Sequence, residues 1–162
     1  MKTKLGLIHP LFTILAATII SWSFAPQSAR AHGSEEAMKA FMEPYGKIQV
    51  ALANDDLPAA QAAAKALPLD KDAQTIAASK SLDDARTAFK HISKKAIRMA
   101  ADDEGYYVFK CPMVDDGYCI QTSTKCANPY MGKSMPGCGK AFTKEEAMKL
   151  FGSSPSSSMP GM

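Results

Sequence analysis

The sequence predicts a mainly α fold, an antiparallel helical bundle with a small Cys/Met-rich β-hairpin subdomain on its C-terminal side. Three observations point there. Apolar residues recur at threes and fours between Glu35 and Met99, the signature of helices with one buried face. The period then changes to the aromatic and β-branched run Tyr106-Tyr107-Val108-Phe109. All four cysteines and four of the five tyrosines fall within residues 105–140, so the chain divides chemically where its periodicity changes.

Each element has a local cause. Helix one begins with Glu35, Ala37, Met38, Phe41 and Met42, passes Pro44 as a potential kink, and continues through Ile48, Gln49, Leu52 and Ala53 to the stop at Asn54-Asp55-Asp56. Asp56 caps a second helix with Leu57-Pro58 in its first turn, running to Leu67 before Pro68. A third helical region starts at Leu69-Asp70 and buries Ile76, Leu82, Ala85, Phe89, Ile92, Ala96 and Met99, with a break expected at residues 79–81 and a stop at residues 102–105. Asp115-Asp116-Gly117 turns the chain into a return strand, Tyr118-Cys119-Ile120-Gln121. Asn128-Pro129-Tyr130 and Met135-Pro136-Gly137 are turn-rich, and Thr143 with Glu146 forms the capping box of a last helix to Phe151. The expected organisation is therefore a bundle over 32–104 and a hairpin subdomain with the terminal helix over 105–151, the two forming one domain. Residues 152–162, rich in Ser, Pro and Gly, read as a disordered tail. Met38, Met42, Met99 and Met148 read as core filler.

The N-terminus carries an address. Lys2 and Lys4 precede an apolar run, Leu11 to Phe24, that ends at Ala29-Arg30-Ala31, so residues 1–31 read as a secretory signal peptide and the mature chain as periplasmic, with no membrane insertion after cleavage. An uncleaved anchor over residues 5–24, interrupted by His9-Pro10, is the alternative. Cleavage removes three of the 19 basic residues and no acidic one, leaving 16 of each, so the mature chain is formally neutral. Nucleic acid, whose phosphates demand a basic footprint, is set aside as a partner. Enzyme chemistry is set aside too, because the chain lacks a Ser-His-Asp signature, a phosphate-cradling Gly loop, an HExxH helix and a CxxC motif.

Cys111, Met113, Met131, Met135 and Cys138 place soft donors in one short stretch, and soft sulfur selects Cu(I). The competing reading is a disulfide framework, since an even cysteine count in an exported protein usually means bridges. Three pairings are open; in the nested one Cys119–Cys126 closes a small loop inside Cys111–Cys138. Zinc is the weaker metal, because the intervening stretches of 7, 6 and 11 residues contain no CxxC knuckle. Cleavage after Ala31 would expose the amine and imidazole of His32 to Cu(II), a subsidiary copper candidate. His91 reads as a half-buried structural residue, Met159 and Met162 as part of the tail, and Asp55-Asp56, Asp83-Asp84 and Asp102-Asp103 as caps and solvated faces.

The string Tyr107-Val-Phe-Lys-Cys111-Pro-Met113, then Asn128-Pro-Tyr-Met-Gly132, Met135 and Cys138-Gly139, resembles a bacterial periplasmic domain family of unassigned function whose members read roughly HCPM, NPYxG, M and CG. Members occur alone or appended to the periplasmic adaptors of RND-type heavy-metal efflux systems. A more distant similarity to the short heavy-metal-binding domain lies in Cys111-Pro-Met113 and Pro136-Gly-Cys138-Gly. The resemblance implies a role in metal resistance or efflux and an efflux adaptor, or another envelope metal-handling protein, as partner. It departs at Lys110, where the family commonly has His, which favours a sulfur-only site. Cys119 and Cys126 are additional to the pattern, which implies a private disulfide between them and leaves Cys111 and Cys138 as the family-like pair. A disulfide-stapled envelope interaction module that binds no metal is the second reading.

Overall fold

The computed structural model describes residues 28–152, with side chains from residue 35 onward. The segment before residue 28, the His32 side chain and the tail beyond Gly152 lie outside the described residues. Helix α1, Ser28–Ala53, runs through Pro44 as one helix and buries Phe41, Tyr45, Ile48 and Leu52 at the expected spacing. It stops where Asp55 takes a left-handed φ of 56°, a conformation that short polar side chains tolerate. The Asp56 carboxylate accepts from the Ala59 amide at 2.9 Å and starts α2, Leu57–Ala64. This helix is shorter than expected: the amides of Ala66 and Leu67 turn back to carbonyls three residues earlier, tightening the chain before Pro68.

The third helical region is two helices, divided where the serines predict a break. Asp70 caps α3, Lys71–Ala78, and also pairs with Lys95; Ser81 caps α4, Leu82–Ala100. The fourth helix is the centre of the molecule. Its Phe89, Ile92, Ala96 and Ile97 are fully buried, and it packs against α1, α3 and the sheet.

The expected hairpin exists as β1, Tyr107–Lys110, and β2, Tyr118–Gln121, paired antiparallel with Phe109 opposite Cys119. A third strand, β3 at Lys140–Phe142, pairs antiparallel with the other side of β1, giving the order β2-β1-β3; so short a segment after a turn-rich loop leaves no alternation to read. Thr143 and Glu146 form the full capping box of α5, Lys144–Phe151. The outer edge of β2 is closed by two phenols: Tyr45 accepts from the Ile120 amide at 3.1 Å, and Tyr130 donates to the Tyr118 carbonyl. Phe89 joins them, stacked on Tyr45 at 5.3 Å and tilted against Tyr130 at 5.8 Å. Among the described residues no helix is long and apolar enough to cross a membrane.

Candidate metal centre

Cys111 leaves β1 into a turn that closes when its amide donates to the Gly117 carbonyl at 2.8 Å. The turn is so tight that a Cβ on Gly117 would come 2.9 Å from Val114 and 3.2 Å from the Cys111 Cβ, which is why glycine stands there. After β2 the chain makes an irregular excursion, residues 122–139, and returns to β1 through β3. That excursion carries Cys126, Met131, Met135 and Cys138.

Its hub is Asn128, 1% exposed. The side-chain oxygen accepts from the Tyr130 and Met131 amides at 2.9 and 3.2 Å, and the Asn128 amide donates to the Pro136 carbonyl at 2.8 Å. Its side-chain nitrogen donates to Cys111 Sγ at 3.2 Å and to the Cys138 carbonyl. One carboxamide thus folds the loop and ties together the two cysteines that the resemblance leaves as a pair. The Cys138 thiol is held above its ordinary pKa by burial and then by the neighbouring Cys111 thiol.

A second carboxamide serves the other two thiols. Gln121 Nε2 lies 3.5 Å from Cys119 Sγ and 3.9 Å from Cys126 Sγ, while its oxygen accepts from the Ala127 amide at 3.0 Å. Burial pushes the Cys119 thiol far up, with Cys126 adding to it. Burial also raises Cys126; Gln121 opposes the rise, and Cys111 and Cys138 reinforce it. All four cysteines stand as thiols.

The thioethers are placed differently. Met131 is half-buried against the core, Met135 is 38% exposed, and Met113 stands out from the turn at 63% exposed. The structure therefore joins Cys111 to Cys138 within the expected set and leaves Met113 on the surface. Among the described residues, no three His, Cys, Asp or Glu side chains are arranged to hold a metal ion. His91 is exposed on α4, correcting the half-buried expectation; a position beside Phe89 and Ile92 does not itself face the core.

Asp55 also departs from its expected role as a solvated neighbour of the Asp56 cap. Its carboxylate pairs with Arg86 at 2.5 Å and accepts from the Lys133 amide at 3.0 Å, while Arg86 donates to the Pro129 carbonyl at 2.9 Å. Gly132, at a φ of +54°, lies against it: a Cβ there would come 1.8 Å from the Asp55 carboxylate. Sequence reasoning took Asn128 only as a turn residue and missed Gln121, Asp55 and Arg86. An Asn before Pro and an aromatic residue signals the side-chain turn that Asn128 makes, whereas Gln121 and Arg86 carry no local signal at all. Comparison with protein-family models, with curated proteins and with solved structures finds no match for this chain.

Proposed function

We propose that this chain is an exported, periplasmic protein that binds a soft metal ion, Cu(I), through Cys111 and Cys138. It would act in metal resistance or in hand-over to an RND-type efflux adaptor. The observation that carries the reading is that one buried carboxamide, Asn128, donates both to Cys111 Sγ and to the Cys138 carbonyl and so brings these two cysteines together. Thiolates are soft donors, and Cu(I) accepts as few as two or three of them. A pair bound to Cu(I) carries net negative charge; the Asn128 N–H directed at Cys111 Sγ offsets part of it and orients the ligand. Met131 and Met135 supply neutral thioethers on the loop that holds Cys138, and Met113 is the outermost sulfur. The efflux connection comes from the sequence resemblance, and the arrangement of α1–α4 as an antiparallel bundle belongs to the same reading.

The test is native mass spectrometry of reduced protein with Cu(I) under anaerobic conditions. One copper retained by the wild type and lost by Cys111→Ser/Cys138→Ser, with unchanged far-UV circular dichroism, is the expected result. Equal retention by that variant, or no uptake by a reduced wild type, overturns it. The second reading, a disulfide-stapled module that docks on an envelope partner, draws support from the arrangement of the sulfurs as two neighbouring pairs. Its mark is protein isolated with all four cysteines oxidised and no copper uptake.

A further inference from the structure

The two sulfur pairs are neighbours of one another. Cys119 and Cys126 share the Gln121 amide nitrogen, and Cys126 adjoins the first pair through the backbone at Gly139. The Cys126 sulfur rests against the backbone beside Cys138: a Cβ on Gly139 would come 2.4 Å from it, so the glycine after Cys138 is what admits it. Cys126 is partly buried, whereas Cys119 is 2% exposed. Of the second pair, it is the more accessible residue. A thiol set between a partner on one side and a second dithiol on the other has the placement that thiol–disulfide exchange requires.

We infer that Cys126 is an exchange thiol that moves a single disulfide between the two pairs, so that a chain carrying one bridge still presents Cys111 and Cys138 as a dithiol. The inference rests on the reading of that dithiol as the Cu(I) ligand pair. Starting from a Cys111–Cys138 bridge, the Cys126 thiolate attacks one of the two sulfurs, forms a mixed disulfide and expels the other as thiolate. The Cys119 thiol, giving its proton to the ligand thiolate already released, then attacks Cys126 Sγ, makes the Cys119–Cys126 bond and releases the second ligand thiolate. Each step breaks one S–S bond and makes one; the protons given up by Cys126 and Cys119 are taken up by Cys111 and Cys138, and no external oxidant or reductant is consumed. Cu(I) bound to the released pair draws the population toward the Cys119–Cys126 isomer, since a ligand that binds one state favours it by its differential affinity. The metal pair thereby survives a two-electron oxidation of the cluster.

The experiment uses the purified protein, oxidised with one equivalent of diamide per chain, which removes two thiol hydrogens for each disulfide made. Bridges are then located by alkylation, digestion and mass spectrometry. The one-disulfide wild type is expected to bind one Cu(I) with its bridge at Cys119–Cys126. One-disulfide Cys126→Ser is expected to hold a Cys111–Cys138 bridge and to lose copper uptake. Copper-free Cys138→Ser should yield both Cys111–Cys126 and Cys119–Cys126, and Cys111→Ser should yield Cys126–Cys138 beside Cys119–Cys126. Bridges confined to Cys119–Cys126 in both single variants overturn the inference, as does a one-disulfide Cys126→Ser that takes up copper like the wild type. Bridge mapping needs no metal, so it separates failure of the exchange from failure of the Cu(I) reading, which appears as no copper uptake by the fully reduced wild type.

Discussion

The helical half and the sulfur-bearing loop are held by different means. Helices α1–α4 satisfy their backbones internally and bury Ala, Ile and Phe between them, and α2, α3 and α4 begin on the side-chain caps of Asp56, Asp70 and Ser81. The loop at 122–139 has no strand ladder, yet its buried backbone groups still need partners. Beyond those that Asn128 supplies from within, it takes them from elsewhere: Gln49 of α1 donates to the Ala127 carbonyl, Arg86 of α4 to the Pro129 carbonyl, and Asp55 from the α1–α2 turn accepts from Lys133. A loop tied down by borrowed side chains has its position set by the helical half.

The strongest way to break this comparison is Phe89→Ala. Removing a fully buried ring that touches both Tyr45 and Tyr130 should cost about 3–5 kcal/mol. Denaturation followed by far-UV circular dichroism and by thiol alkylation should give coincident transitions; alkylation of Cys111 well before helix loss would mean that the loop unfolds alone. Next comes Asn128→Ala, which strips partners from the buried Tyr130 and Met131 amides and from Cys111 Sγ. Unpaired buried groups put its cost at about 2–3 kcal/mol, and Cu(I) uptake should fall with it. Stability lost without any change in copper affinity would separate the hub from the site.

A sharper probe of the borrowed contacts is Gly132→Ala. The added methyl collides with Asp55 at a left-handed backbone position, so a loss of more than about 1 kcal/mol is expected in thermal melting, with weaker Cu(I) binding. Unchanged binding would show that the Asp55 side of the loop does not govern the thiols. The smallest effect is acid sensitivity. The Lys133 amide, and then Arg86, hold the Asp55 carboxyl below its ordinary value. A carboxyl depressed on folding stabilises the protein above its unfolded pKa, about 4, and that contribution fades as pH falls through the lower folded value. Asp55→Asn should flatten the fall in melting temperature over that acid window; an unaltered slope would remove Asp55 from the clamp.

Local chemistry made much of the fold legible. The Asp56 and Thr143 caps, the division at Ser79-Lys80-Ser81 and the β1–β2 hairpin each follow from residues within a few positions of the feature they create. The β3 strand was not legible, because three residues beside Cys138-Gly139 earn their conformation from the β1 edge they pair with. Asp55 and Asp56 illustrate the same boundary in adjacent positions. Asp56 acts on an amide three residues away, whereas Asp55 acts on Arg86 and Lys133, 31 and 78 residues on.

The sequence by itself determined the helical regions and the β1–β2 hairpin, and that four thiols and three thioethers crowd a short stretch, because caps, periodicity and composition are local properties. Only the tertiary structure decided which sulfurs meet. Asn128 brings Cys111 and Cys138 together and Gln121 does the same for Cys119 and Cys126, while Gln49 and Arg86 fix the intervening loop to helices that lie far before it in the chain. Contacts between residues so far apart depend on how whole elements pack, and no short window of residues encodes that.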